Sequence, residues 1–314
     1  MPAPSPDAGV LVGPDSTDGG GGGATPATTA ESPDVGYVKR KLGFAFWLGL
    51  AWAVLVIGGA LLAPWLTNRG ILQDPIRSDP VQRFQLGSSK HPLGTDSLGR
   101  DQFSRLVWGA RVSLPVGFAS IALGLVVGIS VGVVAGYLKG WVDSVLMTVM
   151  DIILAFPALL LALSVVTFTD KKDVAHISVA IGIIAIPAMA RLVRANTLTF
   201  REREFVLAAR TLGATHSRII TREILPIVVM PVMSFAVIGV AVAIAAEGAL
   251  AFLGVSVPLP TATWGGMINE ARGTLATNPY QVFVPCGFLV ATIISFYLIG
   301  DRLGQFLNIK ETAL

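Results

Sequence analysis

From Phe44 to Leu66 the sequence runs for 23 residues without one charged side chain. As a helix rising 1.5 Å per residue such a run reaches about 35 Å, enough to cross a hydrocarbon core of about 30 Å. Backbone amides cannot stay unpaired in lipid, so a single segment of this length and polarity is stable there only as an α-helix. Five more apolar stretches follow, at about 111–136, 141–168, 175–193, 225–252 and 281–301. The pattern predicts an all-α, polytopic membrane protein with six transmembrane helices. Composition agrees: 53% of the 314 residues are hydrophobic and 14% are charged, against about 25% charged in an ordinary soluble domain.

The polar segments divide the chain. Residues 1–36 hold the glycine run Gly19–Gly23, many Pro, Ser and Thr, and acidic but no basic side chains. Such a stretch buries too little apolar surface to offset its ordering entropy and reads as a disordered cytoplasmic tail. It lacks the basic-then-apolar order of a signal peptide. Lys39, Arg40 and Lys41 precede the first helix (37–66) and place the N-terminus in the cytoplasm. Six crossings then return the C-terminus, 305–314, to the same side. The loop 67–110 becomes extracytoplasmic, and 111–304 forms a core of five helices. Within that core the connection 193–224 is cytoplasmic and carries Arg194, Arg201, Arg203, Arg210, Arg218 and Arg222. One feature runs the other way: Arg69, Arg77, Arg83, Lys90, Arg100 and Arg105 all fall in the outer loop.

Several function classes are set aside by residue type. The net charge of +3 comes from scattered basic residues, not a stripe, so nucleic acid is not a partner. Cys286 has no second cysteine to bond, and His91, His176 and His216 lack metal-ligand spacing. Gly94 to Asp101 has the glycine spacing of a phosphate loop, but Arg100 and Asp101 replace its Lys and Ser/Thr, and no apolar strand precedes it. No nucleophile–base or metalloprotease pattern is present, so the chain is read as no enzyme and as binding no cofactor or metal. Uphill transport by such a chain draws its energy from an ion gradient or from a partner ATPase.

Two carboxylates fall inside apolar spans, Asp151 and Glu247. An intramembrane carboxylate is a functional candidate by default, here for a translocation path or for the relay of an ion-coupled carrier. The structural alternative places Asp151 near the inner end of its span and Glu247 hydrogen-bonded inside the bundle. Neither a basic partner within the spans nor an inverted repeat is evident. Gly124, Gly128, Gly132 and Gly136 recur every four residues and form a small-residue face for close helix approach. That face packs either within the subunit or against a second one. Pro115, Pro157, Pro187 and Pro231 lie in or near spans and invite kinks.

The stretch from Glu204 to Pro226 is a compact helix–turn–helix at the membrane surface. Gly213 ends its first helix, and Thr215 caps a second that runs to Pro226, where the next span begins. Exposed arginines and the small Ala208 and Ala209 suit it for insertion into a socket on another protein. The run Ala208-Ala209-x-x-x-Gly213, followed by Leu225-Pro226, resembles the EAA loop of ABC importer permeases. Leu207 stands where the Glu of that name is often found, and Glu223 where an Ile or His is usual. A second block, His91 to Leu114, is similar to the HPLGTDxxGRDxxSRLxxGARxSL signature of C-type permeases in dipeptide, oligopeptide and nickel importers. Further matches follow at Gly140–Asp143, Asp151–Pro157, Glu247–Gly254, Pro260–Gly265 and Gly300–Leu303, so the resemblance spans about 42–308.

The resemblance implies a type I importer permease fold and a heterodimer with a B-type permease. It also implies two cytoplasmic ATPase domains that hold ATP and Mg, and an extracytoplasmic peptide-binding protein. The implied function is import of di- or oligopeptides across the cytoplasmic membrane. Nickel or another small solute is the alternative within the subfamily, and an ion-coupled carrier the alternative outside it. Glu204, Ala208, Ala209, Arg210, Gly213, Leu225 and Pro226 are the implied ATPase-coupling residues. Gly94, Thr95, Asp96, Gly99, Arg100, Asp101 and Arg105 form the outer motif. Two readings of that motif are open: it receives the binding protein or shapes an outer gate, or it is a lead-in that fixes the second span.

Overall fold

The structure, a computed structural model, describes residues 43–169 and 171–311, with side chains as far as 306. The expected tail over 1–36 lies outside them. Ten α-helices are present among the described residues: α1 (Phe44–Asn68), α2 (Gln102–Leu138), α3 (Gly140–Ala155), α4 (Ala158–Phe168), α5 (Val174–Arg201), α6 (Glu204–Thr211), α7 (His216–Arg218), α8 (Leu225–Phe252), α9 (Trp264–Ala271) and α10 (Tyr280–Glu311). Five rods are long and apolar enough to cross a membrane, and the bent pair α3–α4 makes a sixth when counted as one span.

The helix ends follow local chemistry. α2 begins well before the expected 111–136 stretch because Asp101 caps it, its Oδ2 accepting from the amide of Ser104 at 2.8 Å and from Ser104 Oγ at 2.6 Å. The expected 141–168 span is not one helix. α3 and α4 meet at 89° across Phe156-Pro157. Proline has no amide hydrogen and pushes the preceding residue out of the helical region, and Phe156 accordingly sits at φ −81°, ψ 137°. The predicted second short helix of the 193–224 connection does not end at Pro226 either. From α7 the chain passes through a π-helical stretch, Ile219–Ile224, straight into α8, giving one rod from His216 to Phe252. The amide of Leu225 reaches back to Ile220 O, a wider turn in which Pro226 has no donor to offer.

Among the described residues α2 and α5 share the most extensive helix–helix interface. The four glycines of α2 make it. A Cβ on Gly124 would lie 2.9 Å from Ala185 Cβ, on Gly128 2.6 Å from Met189 Cβ, on Gly132 2.7 Å from Val193 Cβ and on Gly136 2.8 Å from Thr197 Cβ. Each glycine meets a residue four further along α5 than the last, so the two helices run parallel, and α3–α4 carries the chain back between them. The glycine face is therefore filled from within the same chain.

The remaining helices close around this pair. α10 packs along α8 and α1, where Trp52 Nε1 donates to Thr292 Oγ1 at 3.2 Å and Gly49 sits against the Ser295 backbone. Trp264 of α9 is fully buried and donates to Leu106 O of α2 at 3.0 Å. The start of α1, the α6–α7 connection and the end of α10 lie at one end of the bundle, the loop end. The segment 69–101 and α9 lie at the other, the strap end. Because the atoms facing the glycines belong to Cβ and backbone, even alanine does not fit without shifting a helix. Gly128→Ala and Gly132→Ala should each lower stability by about 1–3 kcal/mol, read as a lower Tm of the purified protein in detergent. Gly58→Ala, which meets nothing within 4 Å, should leave Tm unchanged.

Candidate functional site

At the strap end the outer motif folds into a tight, inward-facing cluster. Gly94 and Gly99 both take φ +74°, and a Cβ on either would collide with a carbonyl oxygen, of Gln85 and Asp79 respectively. Thr95 Oγ1 donates to Gln82 O and accepts from the amide of Gln85 at 2.9 Å. Asp96 accepts from the amides of Leu98 and Arg100 and from Arg100 Nε at 2.6 Å. Arg100 and Arg105 then converge on one oxygen, Glu270 Oε2 of α9, with Arg105 Nη2 at 2.8 Å. His91 Nδ1 lies 3.1 Å from Asp101 Oδ1, and Gln281 of α10 donates to Thr95 O at 2.9 Å.

This geometry is a latch joining the lead-in of α2 to α9 and α10. Arg100 and Arg105 are 4% and 1% exposed, so neither presents its charge to a partner. Of the six basic residues that oppose the charge rule, Arg69, Arg77, Arg83 and Lys90 remain exposed. Glu270 and Gln281, which complete the latch, had no signal in the sequence: an isolated Glu in an amphipathic octet and a Gln at a helix start look like surface residues.

The two span carboxylates part company. Glu247 is fully buried, accepting from Ser113 Oγ at 2.8 Å and from Ser256 Oγ at 3.1 Å. It ties α8 to α2 and to the turn before α9. The expectation that no basic partner stands within the spans is overturned: Arg191 of α5, inside the expected 175–193 stretch, donates to Asp151 at 2.6 Å, and both side chains are exposed. A second pair, missed altogether, is the fork between Arg194 and Asp143, at 2.5 and 2.6 Å. Neither Asp151 nor Glu247 lines a large apolar cleft, an open space of about 560 Å3. Its walls come from α2, α4, α5 and α8, with Leu159, Ile184, Ala188, Phe235, Val242 and Ala246 among them, and no charged side chain takes part.

At the loop end, α6 and α7 form a short hairpin of helices. Gly213 takes φ +80° at its turn, and Thr215 Oγ1 accepts from the amide of Arg218 to cap α7. Its inner side is anchored: Val206, Ile219 and Ile224 are fully buried against Val133, Tyr137, Val193, Val228 and Val232. Its outer side is apolar and open, with Leu212 87% and Leu207 51% exposed. Glu204 and Ala208 are exposed beside them, Ala209 is half-buried, and Leu225 and Pro226 lie where the rod of α8 takes over. Arg210, expected to be exposed, is half-buried over the ring of Tyr137. Just below, Lys139 donates to Glu202 at 2.7 Å, which holds that carboxyl below the usual carboxylate range.

These features describe a multi-pass membrane protein with a small helical hairpin at one end of its bundle. The described part resembles a chain of the MetNI methionine ABC transporter, with a TM-score of 0.54 at 20% identity over 65% of this chain and 96% of that one. A family model, "binding-protein-dependent transport system inner membrane component", matches residues 128–309. The dipeptide transport system permease protein DppC of Alkalihalophilus pseudofirmus is 36% identical over 87% of both chains. The glutathione transport system permease protein GsiD of Pectobacterium atrosepticum is 40% identical over 71% of this chain and 74% of its own, and GsiD of Escherichia coli is 36% identical over 82% of both. The chain belongs to this family of inner-membrane permease subunits of ABC importers. Membership implies a partner permease subunit and ATPase subunits on which nucleotide binds.

Removing the shared acceptor of the latch leaves two buried guanidinium groups short of a counter-charge. Glu270→Gln should cost about 3 kcal/mol, seen as a fall in Tm of the purified complex. Asp74→Asn, at an exposed position on the same strap, should have no measurable effect.

Proposed function

We propose that this chain is the C-type permease of an importer for short peptides, and that the 193–224 connection is where ATPase subunits grip it. The observation that carries the reading is the α6–α7 hairpin, with its inner face locked into the bundle and its outer face offering Leu207 and Leu212 beside small residues. A lever needs both: a face that a partner holds and a face that cannot slip on the spans. The arginines around the hairpin, from Arg194 to Arg222, support a cytoplasmic position for the loop end. On this topology the strap end is extracytoplasmic and faces a peptide-binding protein, and a B-type permease supplies the second half of the path.

The peptide cargo is supported by the relatives, one named for dipeptides and others for glutathione, itself a tripeptide. The cleft fits the same class. Its apolar, alanine-rich wall offers no charge to sort side chains, as a path for peptides of varied sequence requires, and selection then falls to the binding protein. ATP-driven closure of the ATPases would move the hairpin and switch the cleft between its two accessible states.

The deciding experiment is uptake of labelled di- to hexapeptides into proteoliposomes. The vesicles hold this chain with its co-purified subunits and binding protein, and ion gradients are collapsed. Uptake that requires ATP is the expected result. A requirement for a gradient instead of ATP would overturn the importer mechanism, and ATP hydrolysis without peptide uptake would move nickel or another solute to the front.

Gly213 provides the sharper prediction. No atom crowds it, so a substitution there acts through its left-handed backbone alone, at about 1–2 kcal/mol for a residue with a Cβ. Gly213→Val should insert and assemble normally yet transport several-fold less peptide per ATP, with Gly213→Asn closer to wild type. Glu247→Gln should keep uptake, since the amide can bond both serines and the residue does not line the cleft.

A further inference from the structure

One residue before the end of α2, four elements meet on a single side chain. Tyr137 is 2% exposed. Its Oη shares a 2.8 Å hydrogen bond with Nδ1 of His216, the first residue of α7, and the two rings meet edge to face with centroids 5.6 Å apart. Two guanidinium groups lie over the same ring: Arg201, the last residue of α5, at 5.8 Å, and Arg210 of α6 at 5.4 Å. Arg201 Nη1 and Arg210 Nε are buried with no hydrogen-bond acceptor among the described residues. The negative face of the phenol ring lies against both charges.

The arrangement is more specific than space-filling. Val206, Ile219 and Ile224 already close the apolar contact beneath the hairpin, and a phenylalanine would fill the same volume as Tyr137. The bond to His216 is, among the described residues, the only hydrogen bond between the hairpin and α2. α2 and α5 are locked to each other turn by turn through the glycines, so a displacement of Tyr137 moves both. We propose that Tyr137 is a positioning residue that passes motion of the α6–α7 hairpin into the α2–α5 pair, with its hydroxyl engaging α7 and its ring engaging α5 and α6.

This inference rests on the coupling role proposed above for the hairpin, and its test separates the two. The assembled complex is studied in proteoliposomes with its binding protein, as wild type and as Tyr137→Phe, His216→Leu, His216→Gln and the double variant Tyr137→Phe/His216→Leu. Two quantities are read: labelled dipeptide taken up per ATP hydrolysed, and the factor by which the binding protein stimulates ATP hydrolysis. The second needs no knowledge of the cargo. Assembly is checked by size-exclusion chromatography.

Tyr137→Phe and His216→Leu are each expected to lower stimulation and transport per ATP by about three- to ten-fold, the worth of one part-buried hydrogen bond, while assembly stays near wild type and Tyr137→Phe, which lies outside the ATPase-facing connection, also keeps unstimulated hydrolysis. The double variant should be no worse than either single change, because both remove the same bond. His216→Gln should restore coupling, since an amide can donate or accept at that place. Wild-type stimulation without peptide uptake would remove the peptide reading and leave the Tyr137 comparison intact. Stimulation in Tyr137→Phe equal to wild type, losses in the two single variants that add, or no rescue by Gln would overturn the proposal.

Discussion

Where lipid surrounds the helices, apolar side chains gain nothing by leaving one hydrocarbon environment for another. Cohesion then rests on how closely backbones approach. Among the described residues that approach is most extended along Gly124, Gly128, Gly132 and Gly136, and the other helices close around it. Dispersion contacts rise steeply as two helices close in, and the absence of four side chains lets α5 lie directly on α2. The result is one stiff double rod that joins the strap end to the loop end. The latch fixes the upper end of α2 to α9 and α10, and Tyr137 meets the hairpin at its lower end. An element held at both ends and stiff between them can report at one end what happens at the other.

Polar chemistry is confined to those ends, with a few exceptions inside. At the strap end two arginines, two acids and a cap fold in on themselves, and the conformation is set by glycines that no other residue could replace. Deep in the bundle, Glu247 is satisfied by Ser113 and Ser256 and serves as a cross-tie between α2, α8 and the turn that follows α8. The cleft, in contrast, is lined without charge. A site that binds one solute tightly would need convergent polar groups, and the wall this chain contributes has none.

The spans themselves were legible because a run such as Phe44–Leu66 has only one fold available to it in lipid. So were features set by neighbours in sequence: the Gly213 turn, the Thr215 cap and the four-residue glycine repeat. What stayed hidden depends on residues far apart in the chain. Arg100 and Arg105 meet Glu270, Asp151 meets Arg191, Asp143 meets Arg194 and Tyr137 meets His216, and no local pattern marks either member of such a pair. The break between α3 and α4 is an intermediate case. Phe156-Pro157 is a visible signal, but a proline in a membrane helix is as often a mild kink as a corner, and only packing decides. Asp101 shows the same limit: a capping residue was in view, yet the charged residues after it hid the start of α2 behind the look of a loop.

The parallel pairing of α2 and α5 has a bearing on how such a chain is made. The glycine face of α2 enters the membrane first, and its partner is not synthesised until α3 and α4 have followed. During that interval the face lies open to lipid or to any other helix with small residues. The order of insertion is thus built into the topology: α3–α4 has to cross back before α5 can arrive in the right direction.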